Sequence, residues 1–358
     1  MVLTVVGARP QFIKAAALSR VLRQSRKEVL VHTGQHHDAN MSDIFFEELG
    51  IPRPDYNLGI AGGSHAQMTA RMLTTLEEVM LDTKPGLVLV YGDTNSTLAA
   101  ALAAVKLRIP VAHVEAGNRV GTLQNPEEVN RILTDHAATL RFACVESAMD
   151  CLARENLLRN AFLVGDPMYD AFLYYRKLAL QRAVNDLVDF EGRPIPLPAS
   201  FYYMTCHRQE NTDDPEKLHQ ILSAMEALDA PAIYPVHPRN RQDVLQLMKR
   251  HQYKNIHFAQ PVGYLTSIRL VSQAKKVVTD SGGVQREAFF AGVQCVTILD
   301  FVCWPETMVD NRNQLAPPVK DTILMKLNAP MRMDSSLMPF GDGASCEKIT
   351  RHINNFLD

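Results

Sequence analysis

A unit repeated along the chain constrains its fold most: a short aliphatic run, a polar turn with glycine or hydroxyl residues, then a stretch with helical apolar spacing. Leu3 to Val6 passes through Gly7-Ala8-Arg9 into Gln11 to Leu22. Val29 to Thr33 passes through Gly34-Gln35-His36-His37 toward a helix ending near Leu49. Leu87 to Tyr91 leads through Gly92-Asp93-Thr94-Asn95-Ser96-Thr97 into an alanine-rich helix, and Val111 to Val114 opens a further unit. Continuous aliphatic strands alternating with amphipathic helices predict an α/β fold with a mostly parallel, doubly wound sheet. Ligands of such sheets lie beyond the carboxyl ends of the strands, so the polar turns should share one edge.

The pattern restarts in the second half, where Phe201 to Thr205 precedes His207-Arg208-Gln209-Glu210-Asn211, Ala232 to Val236 precedes His237-Pro238-Arg239, and Val277-Val278 precedes Thr279-Asp280-Ser281-Gly282-Gly283. Between the halves, Phe190 to Ser200 is rich in proline and continues neither lattice, which marks a surface loop; the crossover itself is expected near Gly165 to Asp170. A chain of 358 residues can bury two cores. The expected domains are 1-166 and 167-345, followed by a helix over 346-358 with Ile349, Ile353 and Phe356 at helical spacing. A cleft between the two domains is the expected place for a substrate.

Composition narrows the partners. With 21% charged residues and a formal net charge of -2, nothing favours nucleic acid. No apolar run reaches the length of a membrane span. Met1 to Val6 has no basic n-region and runs straight into Gly7-Ala8-Arg9, unlike a signal peptide. The 6 cysteines form no CxxC pair, several lie in apolar runs, and free thiols in a reducing compartment, the cytoplasm, are expected.

Chemistry concentrates at the strand ends. A strand, the small residues Ser281, Gly282 and Gly283, and a helix leave unpaired amides at a helix N-terminus, where amides and dipole favour a phosphate. Glu287, further along that helix, suits the hydroxyls of an attached sugar. Asp93, Glu115 and the Glu127-Glu128 pair are acids after strands; Glu115 lies between apolar residues, where burial raises a carboxyl pKa toward the acid/base range. Asp93 has a competing reading as part of a helix cap, and the Glu pair another as acids at a helix start. Arg9, Arg119, His207, Arg208, His237 and Arg239 follow strands and suit an anion clamp that stabilises a departing diphosphate. His207 and His237 belong to separate units with no cysteine in either motif, so no metal is expected.

Taken together, Gly7-Ala8-Arg9-Pro10-Gln11-Phe12-Ile13-Lys14, Thr33-Gly34-Gln35-His36, Gly92 to Thr97, His113-Val114-Glu115-Ala116-Gly117-Asn118-Arg119, Pro126-Glu127-Glu128-Val129-Asn130-Arg131, His207 to Asn211 and Asp280 to Gln285 closely resemble the non-hydrolysing UDP-N-acetylglucosamine 2-epimerases. The resemblance implies two Rossmann-like domains of the GT-B type, a homodimer without nicotinamide or metal, and interconversion of UDP-N-acetylglucosamine and UDP-N-acetylmannosamine by elimination and re-addition of UDP. It makes Asp93, Glu115 and Glu127 the acid/base candidates and His207 the group assisting UDP departure. Arg9, Ser281, Gly282 and Gly283 would hold the diphosphate and Glu287 the ribose. Lys14, Arg119 and His237 are further substrate-binding candidates, and Gln35, His36 and Arg208 match a second, activating nucleotide-sugar site of bacterial members.

Some positions depart from the family pattern. Gln285-Arg286-Glu287 stands for Gln-Glu-Glu, which with Asn40-Met41-Ser42 and Asn118-Arg119 resembles the subgroup acting on UDP-2,3-diacetamido-2,3-dideoxyglucuronic acid. Arg286 is read as a solvated helix arginine, with pairing to a substrate carboxylate as the alternative. Leu299 to Thr307 lacks the usual arginine and threonines, and Asn311 stands where glycine is expected. The competing functions are a hydrolysing epimerase, a GT-B glycosyltransferase and a nucleotide-sugar binder without turnover.

Overall fold

The computed structural model describes residues 1-35, 48-302, 304-332 and 337-358. These divide into two compact units, Met1–Leu173 with Met338–Asp358, and Tyr174–Leu337. The first unit runs β1 (Val2–Val6), α1 (Arg9–Leu22), β2 (Glu28–His32), β3 (Tyr56–Asn57), α2 (His65–Thr83), β4 (Leu87–Tyr91), α3 (Asn95–Lys106), β5 (Val111–Val114), α4 (Pro126–Ala137), β6 (Leu140–Ala143), α5 (Glu146–Arg154), β7 (Ala161–Leu163) and α6 (Pro167–Gln181), which crosses into the second. Its seven strands pair in parallel in the order β3-β2-β1-β4-β5-β6-β7. The alanines of α3, Ala99, Ala100, Ala101, Ala103 and Ala104, are buried and let α2 pack closely through Met72, Leu76 and Val79.

The second unit contains β8 (Tyr202–Thr205), α7 (Gln209–Thr212), α8 (Pro215–Glu226), β9 (Ala232–Pro235), α9 (Arg241–Arg250), β10 (Ile256–Ala259), α10 (Tyr264–Gln273), β11 (Val277–Thr279), α11 (Gly282–Ala291), β12 (Cys295–Thr297), β13 (Asn313–Leu315) and α12 (Lys320–Asn328). Its parallel order, β10-β9-β8-β11-β12-β13, repeats the first. Alternate residues of β8 face opposite cores: Tyr202 and Met204 pack with Leu218, Ile221 and Leu222 of α8, whereas Tyr203 packs with Leu270 and Val271 of α10. Burial on both faces is why the strands read as continuous apolar runs. Each unit is a Rossmann-like sheet, and none of the described helices is long and apolar enough to cross a membrane.

Two features depart from the expected outline. The second unit ends at Leu337, and the last helix, α13 (Ser345–Leu357), belongs to the first, where it packs on α1. The amide of Asp166 donates to the Phe340 carbonyl at 2.9 Å, and the amide of Cys346 to the Asp170 carboxylate at 2.7 Å. The strands β3, β6, β7, β10, β12 and β13 were not separable by pattern. In β13, Asn313 and Gln314 are polar strand residues, and lateral pairing with β12 overrides their weak β-propensity.

Gly165 makes the return of the chain possible. Its φ is +88°, and a Cβ there would lie 2.6 Å from Ser345 Oγ and 2.8 Å from the Phe340 carbonyl oxygen. Replacing Gly165 by Ala should therefore cost about 1–3 kcal/mol, concentrated where α13 docks. Hydrogen exchange should show protection lost in α13 first, with the second unit unchanged.

Candidate active site

Both sheets reverse their winding between the first and fourth strands, β1 and β4 in one unit, β8 and β11 in the other. Such a reversal opens a crevice at the carboxyl ends of the strands. The residues after these strands are Gly7-Ala8-Arg9, Gly92-Asp93-Thr94, His207-Arg208 and Asp280-Ser281-Gly282-Gly283, the turns singled out by sequence.

In the first unit, buried Gln11 staples two turns together. Its Oε1 accepts from the amides of Gly7 (2.7 Å) and Ala8 (3.0 Å), while its Nε2 donates to the Tyr91 carbonyl (2.7 Å) and to Thr94 and Thr97 hydroxyls (3.0 and 2.9 Å). Thr94, not Asp93, caps α3, accepting from the Thr97 amide at 3.3 Å. That frees the Asp93 carboxylate, which takes Arg131 of α4 at 2.5 Å. Arg131 also holds Glu128 at 3.0 Å. Burial works against the charge of Arg131, but Asp93, Glu128 and Glu115 around it raise its pKa.

Glu115 is 8% exposed, and its φ of +72° is unusual for a residue with a side chain. Such strain is a mark of functional positions. Its surroundings are not apolar as expected: the ammonium of Lys14, itself buried, lies directly on its carboxylate. Buried charges persist only when paired in this way. Among the described residues, Glu115, Cys144 and Asp166 are the one group of three metal-type ligands, all buried, with ligand atoms within 4.8 Å of one another. Lys14 already supplies the positive charge that a metal ion would bring.

The Glu127-Glu128 pair separates. Glu128 is buried and accepts from the amides of Val120 and Gly121, both at 2.9 Å, besides its ion pair with Arg131. Glu127 is exposed in the first turn of α4, which Asn125 caps. Arg119 does not reach toward solvent as an anion clamp. It is engaged by Asp135 (2.8 Å) and by both oxygens of Glu155 (2.7 and 2.8 Å). Burial opposes its charge, yet the hydrogen bonds of Glu155 and Asp135 raise its pKa. Gln35 accepts from the amide and hydroxyl of Ser96 at 3.0 and 2.7 Å; His36 lies outside the described residues. Arg9 is half-buried at the start of α1.

In the second unit, Asp280 organises the His207 turn, a role sequence reading did not assign. Its carboxylate accepts from the amides of His207 (2.9 Å) and Arg208 (2.8 Å), from Asn211 (3.3 Å), and pairs with His207 Nδ1 at 3.1 Å. Burial raises its pKa, but His207 and these amides prevail and hold it at about 2. His207 is 40% exposed, and its ring lies 5.7 Å from that of exposed His237. Arg208 stacks over Phe301 at 5.4 Å.

Ser281 caps α11, and the amides of Gly282 and Gly283 have no partner among the described residues. Neither glycine has positive φ; what they contribute is the missing side chain over a helix N-terminus, a position whose amides and dipole favour negative charge. Glu287 is 3% exposed on the same helix. Arg286 is not solvated as expected: it is 4% exposed, with its guanidinium 4.0 Å from the Trp304 ring. Asn311 has φ +58°, a left-handed backbone that explains why glycine suits the position and why asparagine is tolerated.

Comparison with known proteins accounts for this constellation. The family model for UDP-N-acetylglucosamine 2-epimerase matches residues 20–354. The chain belongs to the UDP-N-acetylglucosamine 2-epimerase family. It is thereby placed among UDP-sugar 2-epimerases, which are isomerases. The chain is 44% identical to the UDP-2,3-diacetamido-2,3-dideoxy-D-glucuronate 2-epimerase of Pseudomonas aeruginosa, over 98% of this chain and 99% of the relative. It is 38% identical to the UDP-N-acetylglucosamine 2-epimerase of Methanocaldococcus jannaschii over 97% of both chains. A crystal structure of the Methanocaldococcus jannaschii UDP-GlcNAc 2-epimerase with UDP-GlcNAc and UDP superposes with a TM-score of 0.87, covering 99% of this chain and 100% of that one at 38% identity. The Neisseria meningitidis UDP-GlcNAc 2-epimerase bound to UDP-GlcNAc gives 0.84 at 27% identity, covering 99% of both chains.

The depressed pKa of Asp280 makes a stability prediction. A carboxylate ordinarily titrating at 3.8 and held at about 2 contributes roughly 2 kcal/mol. That contribution is present above pH ~4 and lost as pH falls from ~4 to ~2. Replacing Asp280 by Asn should flatten this part of the stability-versus-pH curve, read by chemical unfolding of wild type and variant at each pH.

Proposed function

We propose that this protein inverts C2 of UDP-N-acetylglucosamine, giving UDP-N-acetylmannosamine by elimination and re-addition of UDP. The observation that carries the reading is the cluster of Asp93, Glu115 and Glu128 about Arg131 and Lys14 at the strand ends of a chain in this family. A C2 proton is too weakly acidic for easy direct inversion. Loss of that proton to a carboxylate, with cleavage of the C1–O bond and departure of its electron pair on UDP, gives a neutral 2-acetamidoglucal. UDP then adds back at C1 while a proton is delivered to the other face of C2.

In this account Asp93, Glu115 and Glu127 are the acid/base groups, and separate carboxylates serve the two faces. Glu127 is the member of its pair whose exposure suits contact with substrate, since Glu128 is bound to loop amides and Arg131. His207, steadied by Asp280, donates to the departing diphosphate, and Arg9, Ser281, Gly282 and Gly283 hold it. Glu287 takes the ribose. Lys14 acts on substrate through Glu115, and Arg208 with Gln35 and His36 would form the second nucleotide-sugar site. The proposal includes a homodimer, which rests on family resemblance, and a cytoplasmic enzyme, consistent with Cys151, Cys206, Cys295 and Cys346 standing outside any disulfide. UDP-2,3-diacetamido-2,3-dideoxyglucuronic acid is a second substrate reading, favoured by the 44% identity to an epimerase of that name.

Incubation with UDP-N-acetylglucosamine in heavy water tests the reading. Proton NMR should show deuterium at C2 together with the manno epimer. No exchange with this sugar, but exchange with the diacetamido uronic acid, would select the second substrate; release of free sugar would indicate a hydrolase. Replacing Glu115 by Gln should lower turnover by about 10²–10⁴-fold while UDP affinity by calorimetry stays the same. Replacing Glu287 by Gln should weaken UDP binding.

A further inference from the structure

His113, in the middle of β5, is fully buried between two acceptors. Its Nε2 lies 2.7 Å from the carbonyl oxygen of Gly92, and its Nδ1 lies 2.7 Å from Oδ1 of Asp135. A carbonyl oxygen only accepts, so Nε2 carries a proton and donates to Gly92, while Nδ1 and Asp135 Oδ1 share a second hydrogen bond. The other oxygen of Asp135 accepts from the Gly117 amide (2.9 Å) and from Arg119 (2.8 Å). The pair belongs to a continuous row, Gly92 carbonyl, His113, Asp135, Arg119 and Glu155, which ends at half-exposed His136, 3.3 Å from Glu155.

The two ends of the His113–Asp135 pair grip the two turns that carry acid/base candidates. Gly92 directly precedes Asp93, and Gly117 lies two residues after Glu115. Gly117 fixes its turn tightly, since φ is +85° and a Cβ would lie 2.4 Å from the Ala148 carbonyl oxygen. We propose that His113 is a positioning residue for the epimerisation, which with Asp135 sets the distance and orientation between the turns bearing Asp93 and Glu115. This rests on the epimerase reading above. It also gives Arg119 its role: the arginine neutralises Asp135 instead of binding substrate.

The test combines a measurement without substrate and one with it. In protein carrying ¹⁵N-labelled histidine, the two-bond ¹⁵N spectrum should show His113 Nε2 protonated, as the contact with the Gly92 carbonyl requires; an Nε2 without a proton overturns the proposal whatever the activity. Kinetically, His113→Leu should lower kcat by about 10²-fold, the scale of a misplacement near 1 Å, with KM changed by less than about threefold. His113→Gln, which keeps a donor for the Gly92 carbonyl, should recover part of that loss. Wild-type kcat in folded His113→Leu, or a loss seen only in KM, overturns the positioning role. Absence of C2 exchange in the wild type itself would instead count against the epimerase reading, and the histidine spectrum would still decide the Gly92 contact.

Discussion

A buried carboxylate keeps its charge only where cations or hydrogen-bond donors answer it, and the ends of β1, β4 and β5 are built around that requirement. Lys14 of α1 meets Glu115 after β5, while Arg131 of α4 meets Asp93 after β4 and Glu128 in its own helix. The Lys14–Glu115 and Arg131–Asp93 pairs join separate elements, so these ionic contacts also fix where the turns stand. Removing either partner would leave the other charge stranded, which is far more costly than replacing both. The acid cluster and the fold around it therefore depend on the same contacts.

The second sheet uses the same winding for a different charge. Where the first unit gathers carboxylates, the second presents free amides at Gly282 and Gly283 and a histidine steadied by Asp280. Asp280 does for His207 what Asp135 does for His113: a buried carboxylate faces imidazole Nδ1 and takes backbone amides with its remaining capacity. The difference is exposure. His113 is sealed inside β5 and acts through other residues, whereas His207 opens to solvent and can touch a ligand.

Much of this was legible in the sequence, because strand and turn identities are local. The small-residue turn at Ser281 to Gly283 that opens a helix, and the last helix, follow from residue pattern alone. What pattern could not supply was partnership at long range. Arg119 and Arg286 look like free cations in sequence, but one is committed to Asp135 and Glu155 and the other is buried against Trp304. Gln11, Arg131, His113 and Asp280 stand inside recognisable motifs, yet their roles appear only once strands distant in sequence lie side by side. The Glu127-Glu128 ambiguity is of the same kind, since one residue of helical rotation separates an exposed carboxylate from a buried one.

Positional isotope exchange tests the central claim most directly. UDP-N-acetylglucosamine carrying ¹⁸O in the bridge between C1 and the β-phosphorus would be incubated with the protein and followed by phosphorus NMR. Elimination of UDP by C–O cleavage frees the β-phosphate to rotate, so the label should spread from the bridging to the non-bridging positions as the manno epimer forms. Inversion at C2 with the label still confined to the bridge would contradict the account.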